Sequence, residues 1–458
     1  MLPTNQALIA ALPPFVQPYV ERLRKSPLGY RLASGAFWSV AGEAATRAMA
    51  LMASLVITRS LGQVAFGELG IIQSTIGLFG TLSGFGLGVT ATKYVAQYRT
   101  SDPARAGRVI GVATLVALAT GVALTIVMVL IGQWLAARTL AAPHLGSLLR
   151  VSSLLLLCGA LSGVQTGALS GFEAFRRLAG INFWTGLLSS VLLLAGAVGW
   201  GLEGAVWAMV IGRVVTLIVA HRALRAEAAG AGIVITHANL GSEWRVIGTY
   251  SIPALMTGLL VIGVYWICNA LLVNTPGGYA QMGVFNAANQ WFNTLIILPA
   301  TLGQAAFPVL SESLQRGSDA SSRKVLTFSM TAAALVSIPV AIIGSLASPV
   351  IMSWYGPEFR DSWPVLVVVF WTAALLAIQT PIGNVIAASG RMWLGSAMNL
   401  AWGVLFVTLT WAMLARGAEG LAVARLLAYV AHAVWTFGFA FFLIRRRQSP
   451  AVPGLERG

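Results

Sequence analysis

The sequence contains an internal repeat, and the second copy begins 216 residues after the first. A Gly-Leu-Glu-Gly motif at 201–204 returns as Gly-Ala-Glu-Gly at 417–420, and Phe-Gly at 66–67 returns as Met-Gly at 282–283. Because both matches share one offset, they indicate an internal duplication. We therefore expect two related halves with the same order of elements.

The composition places both halves in a membrane. Only 9% of the residues are charged and 57% are hydrophobic, whereas about a quarter of a soluble domain is charged. The net charge of +15 comes from Lys and Arg residues between apolar runs. Such a pattern orients a chain in the bilayer and gives no reason to expect nucleic acid as a partner. Cys158 and Cys268 lie inside apolar runs, which favours packing over a disulfide or a metal site.

Twelve apolar runs are long enough to cross a bilayer, which needs about 20 residues. They lie at 34–59, 66–96, 107–131, 145–171, 177–199, 201–221, 244–273, 279–309, 323–347, 363–389, 391–415 and 417–444. They predict an interfacial segment at 1–33, a first half at 34–221, a linker at 222–243, a second half at 244–444 and a basic tail at 445–458. The predicted fold class is an all-α polytopic membrane protein with two pseudo-symmetric six-helix bundles.

The basic residues predict the orientation of these spans. Most of the 29 Lys and Arg residues fall in segments that lie on one side when the spans alternate, whereas the opposite segments hold Arg138, Arg360 and Arg416. Cytoplasmic loops carry the excess of positive charge in membrane proteins. We therefore expect both termini in the cytoplasm.

Enzymatic chemistry is poorly supported by the motifs. The chain has no Gly-x-x-x-x-Gly-Lys-Ser/Thr motif, and the predicted outer loops are too short for a glycosyltransferase or polymerase site. Its four histidines are scattered without metal-ligand spacing. We expect no enzyme, no cofactor and no metal.

A motif between the first two spans carries a family resemblance. The segment Ile-Thr-Arg-Ser-Leu-Gly-Gln-Val-Ala-Phe-Gly at 57–67 resembles the Arg-x-Leu-Gly…Tyr/Phe-Gly signature of the polysaccharide-biosynthesis (Wzx-type) flippases of the MOP superfamily. Gly-Phe-Gly-Leu-Gly at 84–88 and Lys-Tyr-Val-Ala-Gln-Tyr at 93–98 are similar to that family's continuation.

The resemblance implies a V-shaped, MATE-like fold with two lobes around a central cavity. It further implies flipping of an undecaprenyl-pyrophosphate-linked oligosaccharide from the cytoplasmic to the outer leaflet of a bacterial inner membrane. A polysaccharide polymerase and chain-length proteins are the candidate protein partners, beside membrane lipids.

Cations inside the spans are the candidates for binding a pyrophosphate, since a charge in the bilayer core is costly without a role. Arg47 lies in the middle of the first span, and Glu43, one turn earlier, either neutralises it as a structural ion pair or couples transport to an ion. Arg213 and Arg425 fall one turn apart when the halves are superposed, although bonding to helix carbonyls is an alternative. Arg150 and Lys93 lie nearer span ends, where contact with lipid headgroups is the plainer interpretation.

Amides are the candidates for binding sugar hydroxyls, because an amide both donates and accepts hydrogen bonds. Asn286, Asn289, Gln290 and Asn293 lie on one helical face of the eighth span, and interhelical bonding is the alternative. Weaker candidates of the same kind are Gln165, Asn182, Asn269 and Gln379.

Three other functions remain open on the sequence. A cation-coupled multidrug exporter of the same superfamily would favour carboxylates in its cavity, and the deep spans carry several arginines and one glutamate. A lipid II flippase usually has two further C-terminal spans. A non-transporting scaffold of a glycan-assembly complex would tolerate loss of the buried arginines.

Overall fold

A computed structural model describes residues 27–236, 244–315, 319–388 and 392–446, with side chains described chiefly at 45–236, 258–296, 326–386 and 393–439. These residues form helices, and no strand occurs among them. In chain order the α-helices are α1 (Pro27–Gly84), α2 (Leu87–Tyr98), α3 (Pro103–Trp134), α4 (Leu145–Ser152), α5 (Leu154–Gly171), α6 (Phe175–Gly230), α7 (Trp244–Val273), α8 (Gly278–Gln315), α9 (Asp319–Tyr355), α10 (Trp363–Ala388), α11 (Met392–Ala412) and α12 (Gly417–Arg446). A π-helical turn (Leu135–Thr139) follows α3, and short 3₁₀ turns precede α10 (Pro357–Ser362) and α12 (Leu414–Arg416).

The chain is a multi-pass membrane protein. Within the described ranges, eight helical stretches are long and apolar enough to cross a bilayer. Two of them are far longer than one crossing needs, since α1 has 58 residues and α6 has 56. Each contains two predicted spans, so the count of twelve crossings stays a prediction. The predicted interfacial segment and tail fall largely outside the described residues.

Glycine interrupts both long helices. Gly62 in α1 has φ 76° and ψ 178°, and Gly201 in α6 has φ 60° and ψ −142°. Residues with a Cβ avoid these conformations, whereas glycine adopts them at little cost. Each long helix therefore changes direction near the boundary between its two predicted spans.

Some boundaries differ from the sequence-based ones for local reasons. The predicted span at 66–96 breaks at Phe85 and Gly86, which have φ of 45° and 64°. The predicted span at 145–171 is divided at Ser153 into α4 and α5, and α6 continues through the start of the predicted linker to Gly230.

The repeated motif adopts the same local structure in both copies. Gly417, the counterpart of Gly201, has φ 58° and ψ −134°. Three residues later, Gly204 and Gly420 each press against the preceding helix turn, because an added Cβ would lie 2.2 Å from the Gly196 carbonyl oxygen and 2.1 Å from that of Met413. The 216-residue repeat is thus preserved in backbone conformation as well as in sequence.

Packing joins the halves mainly through α1. In the first half, α5 packs against α2, α3 and α6, and α1 packs against α6. In the second half, α10 packs against α8, α9 and α12, and α11 against α7 and α12. Helix α1 also packs closely on α8 and on α7, so its middle faces the second half of the chain.

The closest contact between α1 and α8 uses the second repeated motif. A Cβ on Gly67 would lie 1.9 Å from the carbonyl oxygen of Tyr279, and a Cβ on Gly283 would lie 2.1 Å from that of Gln63. Gly67 and Gly283 are related by the 216-residue offset. The two helices therefore cross backbone to backbone at equivalent positions.

Polar bonds hold this same end of the molecule together. The Arg59 guanidinium donates from Nε to the carbonyl oxygen of Trp354 at 2.7 Å. The backbone N–H of Gln63 donates to the Glu358 carboxylate at 3.2 Å, and its side chain donates to the Glu358 carbonyl at 3.0 Å. The glycine crossing and these bonds close one end of the helix assembly.

We predict that Gly67→Ala and Gly283→Ala each lower the thermal unfolding midpoint of the purified protein. The added methyl group overlaps backbone atoms that cannot move aside, and overpacking costs about 1–3 kcal/mol. The matched control is Gly180→Ala in α6, whose Cβ would meet nothing within 4 Å. An unchanged midpoint in both crossing variants would contradict the close approach of α1 and α8.

Candidate functional site

A wide cavity opens between α1, α5 and α6 and reaches α8 through one residue. Its volume is about 660 Å³. Arg213 is the one charged residue among those that line it. Its other lining residues include Thr46, Ser54, Gln73, Thr81, Ser189, Ser190, Thr216 and Gln290, which supply hydroxyl and amide groups. We call this the wide cavity.

A second cavity of about 380 Å³ lies between α1, α7, α8 and α12. It brings seven of the sequence-predicted site residues together, namely Arg47, Asn269, Asn286, Asn289, Gln290, Asn293 and Arg425. The remaining lining residues are Gly70, Gln73, Ser74, Tyr265, Met282, Phe285 and Phe292. We call this the amide cavity. It joins residues that are almost 380 positions apart in the chain, from Arg47 to Arg425.

The two cavities adjoin. Gln73 of α1 and Gln290 of α8 line both of them. The amide cavity with Arg47 and Arg425 therefore lies beside the wide cavity with Arg213. Together they provide a polar space of a size suited to a charged headgroup and attached sugars.

Arg425 is the most deeply buried cation of the described residues, with 1% of its surface exposed. Its Nη1 donates to the Asn289 side-chain oxygen at 2.8 Å, and its guanidinium lies over the rings of Phe292 and Phe285, at 4.3 and 5.0 Å. Its Nε and Nη2 have no hydrogen-bond partner among the described residues. Buried donors are normally satisfied, so these two N–H groups favour an anionic ligand.

The charge of the site is positive. Arg47, Arg213 and Arg425 line the two cavities, and none of the described residues that line them is acidic. The side chain of Glu43, the predicted coupling residue, lies outside the described side chains, so its role stays a prediction. Paired N–H groups of arginine suit a phosphate oxygen in geometry and in charge.

Four amide residues of α8, which we call the amide stripe, face their repeat counterparts in the first half. The stripe consists of Asn286, Asn289, Gln290 and Asn293. The residues 216 positions earlier are Gly70, Gln73, Ser74 and Gly77. All four counterparts line the wide or the amide cavity. A Cβ on Gly70 would lie 2.8 Å from Nδ2 of Asn286. Equivalent faces of the two halves therefore meet across the cavity.

Further hydrogen bonds hold α7 against α1 beside this stripe. The Asn269 amide donates to the Ser74 hydroxyl at 3.0 Å, and the Trp266 indole donates to the Thr75 hydroxyl at 3.0 Å. Nδ2 of Asn286 is buried and has no partner among the described residues. One amide of the site is thus used for packing between helices, and another is available to a ligand.

Five predicted site residues lie elsewhere. Lys93 is exposed beside the Tyr94 ring, and Arg150 is exposed at the end of α4. Gln165 is buried in α5, and Asn182 lies on α6 beside Thr46, with its carbonyl 3.5 Å from the Thr46 hydroxyl. None of these four lines the wide or the amide cavity.

Gln379, the fifth, belongs to a separate cavity of about 250 Å³ between α10, α11 and α12. Its amide contacts Nδ1 of His432 and donates to the Thr436 hydroxyl at 2.9 Å. Periodicity identifies a polar residue but not the helix it faces, and the neighbours of Gln379 are all in the second half. The structure therefore separates it from the amide stripe.

Sequence reasoning missed Gln73, Ser74 and Tyr265. The first two are the repeat counterparts of Asn289 and Gln290, so superposing the halves residue by residue would have identified them. Tyr265 donates or accepts a 2.7 Å bond with the Tyr429 hydroxyl and lines the amide cavity. No sequence signal distinguishes it from other aromatic residues of the spans.

The sequence model of the family described as "Polysaccharide biosynthesis protein" matches residues 32–314. Among curated proteins, the EPS I polysaccharide export inner membrane protein EpsE of Ralstonia nicotianae is 24% identical over 298 residues, which is 62% of this chain and 65% of that protein. The chain thus spans slightly less than two thirds of that relative. The lipid III flippase of Escherichia coli is 23% identical over 429 residues, which is 91% of this chain and 99% of that protein.

Solved structures share the fold at low identity. A multidrug resistance MATE family transporter of the MOP superfamily in an inward-facing conformation has a TM-score of 0.77 and 16% identity, covering 89% of this chain and 96% of that one. A MATE family transporter of that superfamily in an outward-facing conformation has a TM-score of 0.67 and 15% identity, covering 91% and 96%. Their fold is MATE-like, and so is the fold of this chain. Because the family model matches more than half of its residues, the chain belongs to the polysaccharide biosynthesis family.

Proposed function

We propose that this protein flips undecaprenyl-pyrophosphate-linked oligosaccharide repeat units from the cytoplasmic to the outer leaflet of a bacterial inner membrane. The product would supply exopolysaccharide, O-antigen or capsule synthesis. The observation that carries the proposal is Arg425, a buried guanidinium whose Nε and Nη2 have no partner among the described residues, in a cavity without a described carboxylate. Relatives that export polysaccharide or flip lipid III support the same substrate class.

The pyrophosphate would bind to Arg425 and Arg47 in the amide cavity. A guanidinium offers two parallel donors to phosphate oxygens, and a charge-assisted bond is about twice as strong as a neutral one. The low dielectric of the membrane interior strengthens this attraction. Arg213 would attract the same group from the adjoining wide cavity, so the charge need not leave a positive environment while the protein changes conformation.

The sugars would occupy the space lined by amides and hydroxyls. Asn286, Asn289, Gln290 and Asn293 present donors and acceptors along one face of α8. Ser189 and Ser190 add hydroxyl groups across the wide cavity. A cavity lined by amides from one half and hydroxyls from the other suits a glycan with hydroxyl groups around its ring.

Movement would follow alternating access between two six-span lobes, the first at 34–221 and the second at 244–444, with both termini in the cytoplasm. In that orientation the end closed by Gly67 and Gly283 faces the periplasm. The substrate would enter from the cytoplasm, and separation of α1 from α8 at the glycine crossing would release it outward. An inside-negative potential favours outward movement of an anion by about 2.3 kcal/mol per charge per 100 mV.

The relatives are transporters rather than enzymes, and the mechanism needs no bond chemistry. Glu43 is the proposed residue for any ion coupling. A polysaccharide polymerase and chain-length proteins are the proposed partners, since they would act on the product in the outer leaflet.

Flipping of a fluorescent lipid-linked oligosaccharide in proteoliposomes tests the proposal. We expect Arg425→Gln and Arg47→Ala each to reduce the flipping rate on the order of 10- to 100-fold, because a charge-assisted bond contributes roughly 1.5–3 kcal/mol. Arg138→Gln is the control, since Arg138 is exposed and lines neither cavity. Full flipping by both cavity variants would refute the role of these arginines.

A multidrug exporter with the same fold is the alternative, and the sign of one charge separates the two functions. Gln290→Glu places a carboxylate where the wide and amide cavities meet. We expect it to slow flipping of the anionic substrate by at least about tenfold, because like charges in a confined site repel by several kcal/mol. An exporter of cationic drugs would instead keep or increase its activity, as measured by drug efflux from the same proteoliposomes, with Gln290→Met as the neutral control.

Arg425 should serve binding at the expense of stability. We predict that Arg425→Met leaves the thermal unfolding midpoint unchanged or raises it, while flipping is lost. The reason is that a buried cation with unpartnered donors costs more than an apolar side chain of similar length. A clear drop of the midpoint in detergent would show instead that Arg425 is a structural residue, as bonding between helices would require.

A further inference from the structure

An apolar groove runs along the outside of the second half, between α8 and α9 with α10 as its floor. Its volume is about 390 Å³. It is separate from the wide and amide cavities and has no residue in common with them. Its lining residues are Trp291, Thr294, Leu295, Val336, Ser337, Val340, Ile343, Gly344, Ala347, Ile351 and Phe370.

The groove offers no free polar group from its described lining side chains. The Thr294 hydroxyl donates to the Gln290 carbonyl at 2.9 Å, and the Ser337 hydroxyl donates to the Ala333 carbonyl at 2.7 Å. The Trp291 indole donates to the Tyr355 hydroxyl at 3.1 Å. A ligand of this groove therefore has to be a hydrocarbon.

The groove is long. Its residues on α9 extend from Val336 to Ile351, which corresponds to roughly 22 Å along a helix with 1.5 Å rise per residue. This length and the apolar lining suit an extended hydrocarbon chain. Gly344 lets α9 pack closely on the floor of the groove, because a Cβ there would lie 2.6 Å from the Phe370 ring.

The groove opens to the hydrocarbon of the membrane. Ile343 is 66% exposed, and Val336 and Val340 are exposed beside it. All three lie on a stretch of α9, Leu326–Tyr355, that is long and apolar enough to cross the bilayer. A chain attached to a lipid can thus enter sideways without crossing a polar layer.

The groove also begins where the substrate cavities end. Trp291 and Thr294 line the groove, while Gln290 and Asn293, their immediate neighbours on α8, line the amide cavity. Helix α8 therefore presents an amide face to the cavity and an apolar face to the groove within the same two turns. Three residues beyond Ile351, the Trp354 carbonyl accepts the bond from Arg59 of α1, so the groove ends close to a contact between α1 and α9.

We propose that this groove holds the polyprenyl chain of the lipid-linked substrate while the pyrophosphate is bound in the amide cavity. The inference rests on the proposed function and adds the site of the tail. The chain passes beside α8 at Trp291 and lies along α9 at Ile343 and Ala347. Because the groove stays on the lipid side, the tail keeps its apolar surroundings throughout the movement of the headgroup.

A bulky side chain placed in the groove tests the proposal, because it should affect substrates with long and short tails differently. Proteoliposomes containing Ala347→Phe are compared for flipping of two substrates that carry the same pyrophosphate-linked glycan, one on a long polyprenyl chain and one on a two-isoprene chain. Wild type should flip the long-chain substrate at least about tenfold faster, because only the long chain makes van der Waals contacts along the whole groove. The variant should lose this advantage and keep the short-chain rate. Leu346→Trp, exposed to lipid and outside the groove, should behave as wild type.

Two outcomes would overturn the tail site. One is an equal effect of Ala347→Phe on both substrates, and the other is no effect on either. Absence of flipping by wild type with both substrates would instead refute the proposed function, so the two failures are distinguishable.

Photocrosslinking gives a measurement that does not depend on transport or on the folding of Ala347→Phe. A photoreactive amino acid at Ile343 should crosslink to a polyprenyl pyrophosphate labelled in its chain, and one at Leu346 should do so at least about tenfold less. Unlabelled polyprenyl pyrophosphate should compete, whereas an equal excess of phospholipid should not. Equal competition by phospholipid would show that the groove holds ordinary membrane lipid and would overturn the proposal.

Discussion

The structure depends on one backbone crossing, where α1 and α8 meet at Gly67 and Gly283. No side chain fits between the helices there, since an added Cβ would fall within about 2 Å of a carbonyl oxygen on either side. This approach places the next turns of both helices opposite each other, Gly70 to Ser74 against Asn286 to Gln290. The amide cavity follows from that crossing, because each half contributes the same face of an equivalent helix to it.

The electrostatics of the site follow from how the two repeats diverged. Where the first half has Gly70, Gln73, Ser74 and Gly77, the second half has four amides. The arginines have no basic counterparts, because Arg47 corresponds to Gly263, Arg213 to Tyr429 and Arg425 to Met209. The burial of Arg425 in a cavity without a described carboxylate costs folding energy that a ligand can offset. A scaffold that is symmetric in backbone thus carries a cavity that is asymmetric in chemistry, which suits a substrate with a charged end and a sugar end.

The sequence predicted most of the structure where a backbone rule or the internal repeat could be applied. The Gly-x-Glu-Gly repeat marks the same positive-φ turn at Gly201 and Gly417. The helical period puts the four amides of α8 on one face, and all four line the amide cavity. The extent of the long helices was harder to predict, since hydropathy cannot tell whether Gly62 ends a helix or bends it. The packing partner of each polar side chain was harder still to predict. Gln379 has the same polarity as Gln290, and only packing decides that it faces His432. The tail groove could not be read from sequence at all, because its apolar residues look like any lipid-facing surface.

The central claim is that the arginines of the two cavities select the substrate by its negative charge. The most direct test compares the affinity of the purified protein for one oligosaccharide carried on undecaprenyl pyrophosphate and on uncharged undecaprenol. We predict that the pyrophosphate form binds on the order of 100-fold more tightly, since two charge-assisted bonds contribute about 3 kcal/mol or more, and that this preference falls by at least about tenfold in the Arg425→Gln variant. Equal affinity of the wild-type protein for the charged and uncharged lipids would contradict the account.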